Sequence, residues 1–83
     1  MPATLTDAEM AIQAAILKVQ ALGEMPCRPV VIDAAVKRLM LADEPEPAAR
    51  ELVAHAVTTM RQRGTLHTHE GPLHLWTVDE GRA

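Results

Sequence analysis

Residues 63–78 read RGTLHTHEGPLHLWTV and carry three of the four histidines together with the single tryptophan of the chain. Apolar and polar residues alternate on both sides of Glu70-Gly71, the period of two expected of strands with one dry side. Glu-Gly serves as a turn pair, although Asn or Asp is the commoner first residue. A two-residue loop at Glu70 and Gly71, or a four-residue loop from His69 to Pro72, places Thr68 opposite Leu73 in either case. That register predicts Leu66, Thr68, Leu73 and Leu75 on one side, and His67, His69, His74 and Trp76 on the other. The aliphatic side is expected to lie on a helical layer. Trp76 is expected to fold against a helix or the N-terminal segment with its N–H wetted.

The helical layer is written upstream. Thr6-Asp7-Ala8-Glu9 has the capping-box pattern, with Leu5 and Met10 at hydrophobic-staple spacing, and predicts a helix running to about Leu22 before Gly23. Ala8, Ile12, Ala15, Ile16, Val19 and Leu22 form its apolar stripe. A second stripe, Met10, Ala14, Leu17 and Ala21, lies roughly opposite at spacings of 4, 3 and 4. A helix apolar on two sides is either gripped within its own domain or shared with another chain. The second stripe is therefore read as a homodimer or partner interface, with a central helix held by the others as the alternative.

Pro26 and Pro29 rule out helix through EMPCRP and suggest a short extended piece. Pro29 suits the start of a second helix over about 29–41, facing inward with Ile32, Ala35, Val36, Leu39 and Met40. The segment ADEPEP is a turn, and Pro47 opens a third helix over about 47–63. Its inward residues are Ala49, Leu52, Val53, Ala56, Val57 and Met60, and Gly64 ends it. The fold class expected is α+β, mainly α: three helices followed by a C-terminal β-hairpin.

Composition bounds the function. With 83 residues the chain is near the lower limit for a single self-sufficient core. The core must be aliphatic, because there is no Phe or Tyr. One cysteine, Cys27, excludes an internal disulfide and a cysteine-based zinc cluster, and suggests a reducing compartment. The start MPATLTDAEM has no basic segment followed by an apolar run, so it does not read as a signal peptide. No stretch has the length to span a bilayer. A soluble, cytoplasmic protein without membrane contact is expected. The net charge of −3 argues against a strong general nucleic-acid binder. Positive charge gathers at Arg28, Lys37 and Arg38, and again at Arg61 and Arg63.

Helix, extended piece, helix, turn, helix, hairpin is an order that resembles the winged helix-turn-helix superfamily, most closely where the third helix runs through Gly64 into LHTHEGPLHLWTV. The likeness is one of pattern, covers about 6–78, and points to no particular family within the superfamily. It implies one winged-helix-like domain over 1–83, with a core of about 5–78 and short flexible tails. It also implies double-stranded DNA as partner, in transcriptional regulation, with the third helix in the major groove. The outward face of that helix, Arg50, Glu51, Ala54, His55, Thr58, Thr59, Arg61 and Gln62, then becomes the reading surface. The same residues also make an ordinary solvated helix face. Asp43, Glu44, Glu46 and Glu51 at its N-terminal end suit the helix dipole but repel phosphate. Contact is therefore expected to shift toward the C-terminal half and the wing: His55, Thr58, Thr59, Arg61, Gln62, Arg63, His67, His69 and His74, with Lys37 and Arg38 nearby. The alternative is an acidic winged-helix module for protein–protein interaction, an adaptor, inhibitor or subunit of a larger assembly.

The histidines admit a third reading. In the expected register His67 faces His74 with His69 beside them, and three imidazoles on one sheet face can hold zinc. No acid other than Glu70 sits near them and no ring-nitrogen partners are evident, so the polar outer side of a hairpin is the simpler account. No Gly-rich phosphate loop and no nucleophile with a base is present, and nothing marks Cys27 as a reactive thiol. The sequence reads as a non-enzyme without cofactors.

Overall fold

The computed structural model describes residues 3–71 and 74–78. Three helices, α1 (Leu5–Ala21), α2 (Arg28–Leu41) and α3 (Glu46–Arg63), precede an antiparallel hairpin of β1 (Leu66–Thr68) and β2 (Trp76–Val78). The fold class is the one expected.

α1 starts earlier than the sequence pattern suggests. Thr4, not Thr6, is the cap: its hydroxyl accepts from the Asp7 amide at 3.2 Å, and the Asp7 carboxylate accepts from the Thr4 amide at 2.9 Å. The two reciprocal bonds satisfy two of the otherwise orphaned donors of the first turn. Ala3 and Ala8 consequently occupy the staple positions that Leu5 and Met10 were expected to fill, and Ala8 is buried. The N-terminus is anchored further by the Ala3 amide, which donates to Glu44 at 2.9 Å.

All three helices close in the same way. Gly23, Asp43 and Gly64 take positive φ (76°, 69° and 79°). The next amide in each case reaches back into the last turn, Glu24 to Val19, Glu44 to Leu39 and Thr65 to Met60. Gly23 and Gly64 were legible as helix ends. Asp43 was not, since only a few side chains tolerate this conformation and Asp is one of them.

The core is one buried cluster shared by the three helices and the hairpin. Ile12, Ile16, Val31, Val36, Val53 and Met60 are its largest fully buried side chains. Two assignments change: Leu22 lies 64% exposed past the end of α1, and Met40 turns outward while Val31 takes an inward place. The inward face of α3 is as the periodicity predicts.

The hairpin register differs from the expectation. Leu66 pairs with Val78, His67 with Thr77 and Thr68 with Trp76, so Thr68 faces Trp76 rather than Leu73. A slip of three residues is odd and therefore exchanges the two faces of the second strand. Trp76 turns inward, 5% exposed beside Leu66, and Leu75 is only half-buried. Leu73 lies outside the described residues. The physical reason is the size of the indole. A Trp side chain offers roughly 150–250 Å² for burial, worth about 4–6 kcal/mol at ~25 cal/mol per Å². Leaving it on the wet side would forfeit more than any leucine placed inside could return.

The extended piece before α2 lies along the other edge of β2. The Trp76 amide donates to the Pro26 carbonyl at 2.8 Å, and Cys27 forms an isolated antiparallel bridge with Leu75. Proline lacks a donor but loses nothing here, because only its carbonyl is needed.

The cap assignment is testable. Thr4→Ala should lower the unfolding free energy by ~0.5–2 kcal/mol, whereas Thr6→Ala should stay within ~0.5 kcal/mol of wild type. Urea melts followed by circular dichroism separate the two; a loss at Thr6→Ala with none at Thr4→Ala would return the cap to Thr6.

Candidate nucleic-acid interface

A groove of about 440 Å³ runs between α2, α3 and the hairpin. Its walls come from three parts of the chain. Arg28 and Ile32 project from the first turns of α2. Ala54, Val57, Thr58 and Arg61 project from α3. Thr68, His69, Glu70, His74 and Trp76 come from the hairpin. Helical spacing explains the α3 contribution, since Ala54, Thr58 and Arg61 stand one above another along one face. Arg28 arrives because the bridge from Cys27 to Leu75, just before β2, and the bond from the Trp76 amide to Pro26 pin the start of α2 to the hairpin. The floor includes Ile32, Val57 and Trp76. Arg28, Arg61, His69 and His74 supply polar groups able to carry positive charge.

The groove brings together part of the predicted surface. Thr58, Arg61, His69 and His74 line it; Thr58 and Arg61 also border a shallower depression with Gln62. His74 takes a left-handed backbone (φ 45°), and its Nδ1 lies 3.8 Å from the Glu70 carboxylate. The Nε2 of His69 lies 3.1 Å from the Thr77 hydroxyl.

Other predicted residues are placed elsewhere. His55 is exposed on the next stripe of α3, with half-buried Thr59 below it. The Thr58 and Thr59 hydroxyls donate to the Ala54 and His55 carbonyls at 3.3 and 3.0 Å, so their protons are spent on their own helix. Arg63 is turned toward α1, where its guanidinium pairs with Glu9. His67 faces Thr77 across the hairpin, not His74. The register on which a three-histidine zinc face depends is thus absent. Among the described residues no three His, Cys, Asp or Glu side chains gather in a metal-holding group. Arg38 lines a different cleft, between α1 and α2.

The N-terminal half of α3 is electrostatically closed. Arg50 donates to Glu46 at 3.0 Å and lies 3.6 Å from Asp33 on α2. The hydrogen bond to Glu46, and then the charges of Glu46 and Asp33, hold its guanidinium above the ordinary arginine range. Its guanidinium is thus tied to two carboxylates while half of the side chain stays in water. Arg28, legible in the sequence only as part of a positive segment, is the groove cation that the expected contact surface left out. Its role follows from strand pairing more than forty residues away.

No protein-family model, curated protein or solved structure matches this chain. The surface itself must carry the functional reading. Among the described residues no helix is long and apolar enough to cross a membrane.

A second face lies on the other side of α1. Met10 is 62% and Leu17 44% exposed, Ala21 is exposed and Ala14 half-buried, so the second stripe of α1 is not gripped by α2 or α3. Beside it a cleft of about 360 Å³ is lined by Ala3, Asp7, Met10, Ala11 and Ala14 of the N-terminal region, and by Arg38, Leu39 and Ala42.

The pair between Arg63 and Glu9 crosses from α3 to α1 with its guanidinium half in water. Glu9→Gln should release Arg63 and lower stability by only the ~0.2–1 kcal/mol typical of exposed pairs. A loss above ~3 kcal/mol in urea unfolding would show instead that the pair is a buried strut.

Proposed function

We propose that this chain is a winged-helix domain that grips double-stranded DNA by its phosphate backbone, as a small transcriptional regulator. Three helices followed by a hairpin, with a short extended piece at 26–27 before α2, keep the element order on which that resemblance rests. The observation that carries the reading is the convergence of Arg28, Arg61, His69 and His74 on one groove, in a chain whose net charge is −3. Two arginines from separate helices, with two histidines from the hairpin that add charge when protonated, place positive potential along one groove that also holds Glu70.

The chemistry favours holding over reading. Arginine offers a planar fork that matches a phosphate's oxygens, and Arg28 and Arg61 supply two such forks. Base readout needs donors free at the groove-entering end of a helix. Here that end is acidic and its Arg50 is engaged, while the Thr58 and Thr59 hydroxyl protons are bonded internally. Sequence preference, where it exists, would then come from DNA shape or from Gln62 in the adjoining depression.

A second reading has its own observation. The exposed Met10 and Leu17 stripe suits a protein-interaction module, an adaptor, inhibitor or subunit that binds no DNA.

Fluorescence anisotropy with a mixed-sequence duplex at two salt concentrations decides between them. Binding should weaken steeply as salt rises. Arg28→Ala and Arg61→Ala should each reduce the slope of log K against log salt by about 1, while Arg50→Gln should leave the slope unchanged. No salt-sensitive binding at low ionic strength would sink the DNA reading and leave the interaction module.

A further inference from the structure

The outer stripe of α1 has a symmetry that narrows what covers it. Met10, Ala14, Leu17 and Ala21 are spaced 4, 3 and 4, and that spacing is the same read from either end. Turned end for end, the stripe lies on itself with Met10 over Ala21 and Leu17 over Ala14. Each long side chain then meets a short one, the alternation that lets two helix faces interdigitate without voids or clashes. A second copy of the same chain matches this pattern by construction, because a two-fold interface presents one patch to itself.

We propose that this face binds a second copy of the chain, α1 antiparallel to α1 about a two-fold axis passing between Ala14 and Leu17. The ends of the face agree with that arrangement. Near Met10, the α1–α2 cleft carries Asp7, whose carboxylate accepts from the Thr4 amide, and Arg38, which forms no ion pair among the described residues. At the opposite end, just past α1, lie exposed Leu22, Glu24 and Met25. Antiparallel pairing sets this end over the other copy's Met10 end. Glu24 then approaches Arg38, and Leu22 and Met25 find apolar cover on Met10. The opposite, parallel pairing would stack Met10 on Met10 and Arg38 on Arg38. α1 has 17 residues and so runs about 25 Å, long enough for this contact to engage its whole outer side.

This inference rests on the apolar face and not on the DNA reading, and its test contains no DNA. Sedimentation equilibrium of the full chain over a concentration series should give a dimer. Leu17→Glu should raise its dissociation constant about a hundredfold or more, since each dimer then buries two unpaired charges. Leu17 is partly exposed in the single chain, so circular dichroism should show the variant folded. The orientation is read by mixing Ala14→Cys and Leu17→Cys chains, each also carrying Cys27→Ala, under mild oxidation. Antiparallel pairing gives mainly the mixed disulfide. A monomer at every concentration overturns the proposal and leaves the face to a different protein. A dimer that survives Leu17→Glu, or disulfides mainly between like chains, overturns it as well.

Discussion

The burial of Trp76 is the constraint on which the rest of the arrangement depends. Its indole is the only large aromatic group in the chain and enters the shared core beside Leu66. Its amide binds the Pro26 carbonyl. Side chain and backbone together hold β2 between β1 and the residues preceding α2. Without that double attachment the hairpin would have one partner edge and no fixed relation to α2. With it, the first turn of α2 is brought against the hairpin, and Arg28 joins Arg61, His69 and His74 around one groove.

Charge in this small domain is divided between holding the fold and facing solvent. Arg50 joins α3 to α2 through Asp33 while also meeting Glu46, and Arg63 joins α3 to α1 through Glu9. Each exposed pair is worth little alone. Their larger effect is on what remains available. At the hairpin side Arg28 and Arg61 line the groove with His69 and His74, and Glu70 lies beside His74. The apolar surface is divided in a similar way. One side of α1 is committed to the core, and the other offers a stripe whose spacing suits a copy of itself.

The helices were legible because their signals are local. A period of 3.6, glycine at 23 and 64, and proline near the starts of α2 and α3 act within a few residues of one another. The cap of α1 misled for an equally local reason. Thr4-Leu5-Thr6-Asp7-Ala8-Glu9 contains two overlapping capping patterns, and the one chosen also lets Ala3 donate to Glu44. The exposure of Met10 and Leu17 followed from the two-sided apolar pattern once the core had taken the other side.

The amino-acid sequence alone determined three helices, a hairpin after them, the inward face of α3 and a second apolar stripe on α1. Only the tertiary structure decided the register of the hairpin, and with it which residues face the core and which line the groove. The reason is physical. A strand's alternation states that its two faces differ but leaves open which one is buried, and a slip by an odd number exchanges them. That choice belongs to the packing of Trp76 against helices distant in the chain. The membership of Arg28 in the groove depends on the same contacts, and the turning of Arg63 toward α1 on its separate pair with Glu9.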